Sequence, residues 1–166
     1  MRYWLLIFLL SSFSFCLNAQ SYTVGNRNIS FTDPARNNRS VTMRLRYPGT
    51  DAAMAQGQFP IVVFAHGFQM DETPYYPFSD TLAKRGYIVA LLTTEQVLFP
   101  NHENFAKDLI FTHNKLIDES TNNPNSFLYQ KVIPKSAFGG HSMGGGSTVL
   151  SAQYGNPASC YFSFAA

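Results

Sequence analysis

After Ser142 this sequence of 166 residues holds no histidine, no aspartate and no glutamate. Cysteine is nearly missing too. Of the 2 present, Cys16 falls in an N-terminal stretch expected to be removed, so Cys160 has no disulfide partner within the rest of the chain. A free cysteine of this kind reads as a small buried apolar residue, with a partner beyond Ala166 as the alternative. The four histidines and two cysteines show no metal-ligand spacing, and no metal is expected. No glycine-rich loop ends in Lys-Ser or Lys-Thr, which excludes a phosphate cradle, and no cofactor is expected. Neither sign of charge prevails, with 12 basic and 10 acidic residues. Loss of Arg2 with the leader leaves a net charge of about +1, which implies neither nucleic acid nor an anionic membrane as partner.

Only one apolar run begins the chain. Arg2 supplies a small positive start, Trp4 to Leu10 are unbroken apolar, and Asn18, Ala19 and Gln20 form a small polar exit. This is the pattern of a secretory signal over residues 1–20, with cleavage near Ala19. A membrane span takes about 20 apolar residues, and Ser11, Ser12 and Ser14 interrupt the run first. The expected product is secreted or periplasmic, without stable membrane insertion after cleavage. Phe15 stands where a lipobox before Cys16 needs a small residue. Residues 21–166 have the length and hydrophobic fraction of one domain, or part of one.

Along that domain, Tyr22 to Thr32 and Val41 to Tyr47 alternate apolar with polar residues about a turn-rich Asp33 to Ser40, predicting two antiparallel strands. Arg36, Arg39, Arg44 and Arg46 read as a solvated face of that ribbon. Ile61 to Ala65 is continuously apolar, as in a strand buried on both faces, and stops at His66-Gly67. Pro77 to Arg85 predicts a short helix ended by Gly86, and Tyr87 to Leu92 the next buried strand. Asn104 is positioned to cap a helix to about Glu119, with Phe105, Leu109, Ile110, Leu116 and Ile117 inward and Asp108 and Lys115 outward. A strand over Ser136 to Gly140, a helix over Gly144 to Tyr154 and a strand from Cys160 to Ala165 complete an alternation of strand and helix. That alternation predicts an α/β fold, a mainly parallel sheet with helices on both faces.

The chemistry concentrates at Gly140-His141-Ser142-Met143-Gly144, a G-x-S-x-G between a strand and a small-residue helix. In that setting serine sits on a strained turn, and the flanking glycines remove Cβ atoms that would strike nearby backbone. Ser142 is the candidate nucleophile. Acyl transfer also needs donors where an oxyanion forms. The Met143 NH follows the serine at a helix start, and Gly67 permits a sharp turn that frees the Phe68 NH. His66, Gly67, Gly140, His141 and Gly144 read as turn-shaping. His102 falls in a loop and His113 on the predicted helix. Tyr75 and Tyr76 pack against or cap the helix that follows, with the lining of an acyl pocket as the alternative.

With Asp33-Pro34-Ala35-Arg36, the strand Arg44 to Pro48, the segment Pro60 to Phe68 and Gly139 to Gly146 in this order, the chain resembles the α/β-hydrolase superfamily. Within it, it is similar to the dienelactone-hydrolase, cutinase and polyester-hydrolase branch. The resemblance implies an eight-stranded sheet and a triad ordered Ser, Asp or Glu, His, of which this chain would end after about the sixth strand. The triad acid and His are therefore expected beyond Ala166, and none of the four histidines here fills the catalytic role. The implied activity is that of a secreted serine hydrolase cleaving small-molecule or polymeric carboxylic esters through an acyl-enzyme. The alternatives are a non-catalytic exported binding scaffold and an acyltransferase.

A chain ending at Ala166 would leave its last apolar strand as an uncovered sheet edge, a template for pairing with other chains. The 166-residue piece alone is expected to aggregate on size-exclusion chromatography and to lack esterase activity; a soluble, active monomer would refute this.

Overall fold

The computed structural model describes residues 21–165. The leader expected over residues 1–20, with Cys16, lies outside the described residues. β1 (Val24–Asp33) and β2 (Arg39–Pro48) form an antiparallel ribbon, and β2 also runs antiparallel to β4 (Ile88–Leu92). β3 (Phe59–Ala65), β5 (Val132–His141) and β6 (Cys160–Phe164) join β4 in parallel. The six strands lie in the order β1-β2-β4-β3-β5-β6. Three helices connect them: α1 (Tyr76–Lys84), α2 (His102–Asn122) and α3 (Met143–Leu150), the last continued by a 3-10 turn over Ser151–Tyr154.

The alternating side chains of the buried strands separate two cores. Ile61, Val63, Ala65, Ile88, Ala90 and Leu92 face Phe105, Leu109 and Leu116 of α2, whereas Val62, Phe64, Val89 and Leu91 face Phe78 and Leu82 of α1. Helices thus cover both faces, as the apolar runs imply. Phe64 is the hub of the α1 side. Its ring lies 4.9 Å from Tyr75, 5.3 Å from Phe78 and 6.1 Å from Phe162 of β6.

Four sequence expectations are corrected. The cap of α2 is Asn101, whose side chain accepts the Asn104 NH at 2.8 Å, so the helix starts three residues earlier than expected and His102 stands on it rather than in a loop. Asp108 does not face outward: it is fully buried and receives Arg36 at 2.7 Å and Arg39 at 2.8 Å. The four arginines are accordingly not a merely solvated face. Arg39 also pairs with Glu95 at 2.7 Å, Arg46 pairs with Asp80 at 2.5 Å, and Arg44 lies 3.8 Å from Glu72. The hydrogen bonds to Asp108 and Glu95 push the Arg39 guanidinium further above its ordinary range, against the opposing effect of burial. Cys160 is exposed, not buried, because it starts β6, which among the described residues has β5 on one side and no strand on the other.

The Asp108 cluster ties the β1–β2 turn and the exit of β4 to α2. Removing one member of a buried ion cluster strands the others, at about 3 kcal/mol or more. Asp108→Ala should therefore lower unfolding free energy by about that amount in urea titration, whereas Asp118→Ala, at an exposed pair on the same helix, should cost under about 1 kcal/mol.

Candidate active site

Two strand exits meet at the carboxyl edge of the sheet. Ala65, the last residue of β3, pairs in register with Gly140 of β5, so the segments that follow, His66-Gly67-Phe68 and His141-Ser142-Met143, leave the sheet level with each other. Ser142 has φ 49° and ψ −115°. A side chain rarely adopts such a backbone, at a cost of order 1–3 kcal/mol that surrounding structure must offset. The turn is held by hydrogen bonds from Ser142 NH to Phe164 O at 2.8 Å and from Gly146 NH to Ser142 O at 3.0 Å. Ser142 is exposed at the tip.

The glycines let these pieces close. A Cβ on Gly144 would lie 2.1 Å from the carbonyl oxygen of Ala65, and one on Gly140 would lie 2.2 Å from the carbonyl carbon of Gly144. Both obstacles are backbone and cannot step aside. Gly67 is equally confined, with a Cβ there falling 2.7 Å from Nδ1 of His141. The loop after β3 and the elbow after β5 are thus in direct contact.

Phe68 follows at the surface, 47% exposed. Its NH and that of Met143 donate to no backbone carbonyl among the described residues. Met143 also packs its side chain on the α2 core. Both groups are available at the carboxyl edge, and the start of α3 adds the positive end of a helix dipole.

His66 is buried, with Nδ1 2.8 Å from Gly67 O and Nε2 2.7 Å from Thr94 O, which pins the exit of β3 to that of β4. His141 Nδ1 lies 2.9 Å from the Tyr75 hydroxyl. His113 is buried edge-on to Phe138, and burial lowers its pKa, favouring the neutral ring. Among the described residues no histidine is hydrogen-bonded to the Ser142 hydroxyl. Sequence reasoning gave Tyr75 a packing or capping part, with pocket lining as the alternative. Tyr75 is the N-cap residue of α1 and packs in the core on that side, and its phenol in addition sits between Gly67 NH, at 2.9 Å, and His141. No short-range pattern announces that contact, since Tyr75 and His141 stand 66 positions apart.

A family model described as Chlorophyllase matches residues 23–166. The chain belongs to the chlorophyllase family. This is an α/β-hydrolase family, in line with the fold and the esterase-like resemblance read from the sequence. Among solved structures, a ferulic acid esterase from Streptomyces cinnamoneus superposes with a TM-score of 0.63 at 22% identity, over 82% of this chain and 57% of that one. At this identity the likeness is one of fold, and the chain spans little more than half of that esterase. No curated protein shows significant similarity.

The glycine contacts make a sharp contrast testable in this chlorophyllase-family protein. Gly144→Ala drives a Cβ into two carbonyls and should cost about 3 kcal/mol or more, a loss of the overpacking and strain kind. Gly146, on the same helix, has nothing within 4 Å of a built Cβ, so Gly146→Ala should stabilise by roughly 0.5–1 kcal/mol through helix propensity. Thermal unfolding of the two variants in the full-length protein checks both signs.

Proposed function

We propose that the protein is an exported serine hydrolase that cleaves carboxylic esters through an acyl-enzyme on Ser142. The observation that carries this is the strained backbone of Ser142 at a strand-to-helix turn that only glycines can build. Membership of the chlorophyllase family and the fold of the ferulic acid esterase support an ester as substrate. The hydroxyl of Ser142 attacks the ester carbonyl, and the Phe68 and Met143 NH groups receive the oxyanion that develops. Fixed backbone donors suit this task because they need no reorganisation as charge forms. Collapse of the tetrahedral species expels the alcohol and leaves an acyl-serine, which water then hydrolyses. The resemblance to α/β-hydrolases implies that the base taking the serine proton and the acid orienting it lie in the chain after Ala166; His66 and His141 are hydrogen-bonded within the fold and His113 is buried against Phe138.

The full-length protein should be labelled by a fluorophosphonate probe and should turn over p-nitrophenyl esters. Ser142→Ala should abolish labelling and lower kcat by about 10³-fold or more. A folded full-length protein that takes no label would favour the non-catalytic scaffold instead.

A further inference from the structure

Tyr75 lies in a 3-10 turn over Thr73–Tyr75 that leads into α1, far from Ser142 in sequence. Its ring is buried against Phe64 of β3 and sits 5.9 Å from the His141 ring. Its hydroxyl accepts the Gly67 NH at 2.9 Å, faces His141 Nδ1 at 2.9 Å and lies 3.3 Å from the Met70 sulfur. A phenol has one proton to give. The Gly67 amide can only donate, and an imidazole nitrogen is a far better acceptor than a thioether sulfur. In either tautomer of His141 the hydroxyl bonds both Gly67 and His141, giving its proton to Nδ1 in one and to the Met70 sulfur in the other.

From this arrangement we infer that Tyr75 is a positioning residue, whose one hydroxyl locks the loop after β3 to the elbow after β5. The inference rests on the ester-hydrolase reading of Ser142. Each partner of the hydroxyl stands one residue before a proposed chemical group: Gly67 before Phe68, and His141 before Ser142. A single oxygen atom therefore links the residue before the nucleophile to the residue before the oxyanion donor, beyond the last sheet pair at Ala65 and Gly140. Burial raises the pKa of the phenol, so it remains a proton donor throughout the neutral range. The fit is also tight from the other side, because any side chain on Gly67 would displace the imidazole or Met70. Tyr76, next in sequence, gives the contrast. Its hydroxyl reaches Glu72 at 3.2 Å and touches neither segment.

The test uses the full-length protein with a p-nitrophenyl ester and a fluorophosphonate probe. Tyr75→Phe keeps the ring and removes the link, so kcat and the rate of Ser142 labelling should both fall about 30-fold, a loss in the range that misplaced reacting groups produce. KM should stay within about twofold and Tyr76→Phe should match wild type. His141→Phe breaks only the elbow side of the link. It should lower kcat in the same direction, and the double variant should be no slower than Tyr75→Phe alone. It also decides the matter if Tyr75→Phe fails to fold, since a His141→Phe protein with wild-type kcat would overturn the inference. A folded Tyr75→Phe protein with unchanged kcat, or effects that multiply in the double variant, would do the same. Ser142→Ala separates the two levels. If it keeps label and turnover, the ester-hydrolase reading falls and this inference with it; if it loses both while Tyr75→Phe equals wild type, only the positioning role falls.

Discussion

Helix α3 can begin where it does only because residue 144 has no side chain. The carbonyls of Ala65 and His66 press on that position so closely that a single methyl would overlap both. The contact joins the exit of β3 to the first turn of α3, and Gly140 joins the exit of β5 to the same turn. With both ends fixed, the one residue between β5 and α3 must turn the chain sharply, and that residue is Ser142. Its positive φ follows from the packing around it. The cost is offset by the buried strands on either side, whose Val62, Val63, Phe64 and Phe138 are almost wholly shielded from water.

Backbone strain recurs along the same edge. A non-glycine residue with positive φ follows each of the four parallel strands: Gln69 after β3, Glu95 after β4, Ser142 after β5 and Ala165 after β6. In the β1–β2 turn the same conformation falls on Asn37 and Asn38, a residue type that tolerates it at little cost. Gln, Glu, Ser and Ala have no such excuse. Glu95 is held by Arg39 and His66 by the Thr94 carbonyl, so the ion cluster on α2 and the histidine at the end of β3 both brace the rim. At Glu95 and His66 the rim is held by long-range contacts and not by local propensity.

That distinction explains what the sequence shows and what it hides. The buried strands, the glycine-flanked serine and the small-residue helix are legible because each depends on residues within a few positions of one another. The strand limits differ by a few residues, β5 starting at Val132 and not Ser136, because pairing with Phe59 extends it. The cap of α2 passes from Asn104 to Asn101 because two asparagines three apart are equally good caps until the chain path chooses one. Asp108 looks solvent-facing because its partners Arg36 and Arg39 lie 69 or more positions away, on the β1–β2 turn and the start of β2. Cys160 looks buried on composition, but it starts a strand that pairs with β5 alone among the described residues. Tyr75 belongs with these: its partner is on another element, and only the fold brings the two together.

Strand order supplies the remaining step. β3 sits between β4 and β5, so the chain leaves β3 toward one side of the sheet and leaves β5, by way of α3, toward the other, where β6 lies. The two connections leave β3 and β5 in opposite directions along the sheet, and at a switch point of this kind open parallel sheets bind ligands in a crevice. Here His66-Gly67-Phe68 stands on one side of that point and Ser142-Met143 on the other. Diverging loops would gape unless something held them together near the base; the sheet does this as far as Ala65 and Gly140, its last paired residues there, and the close approach of Gly144 to the Ala65 and His66 carbonyls adds to it. Beyond Ala65 and Gly140 the Tyr75 hydroxyl joins the segment at Gly67 to the segment at His141. The clamp reaches one residue short of Phe68 and of Ser142, the two residues to which the proposed chemistry is assigned.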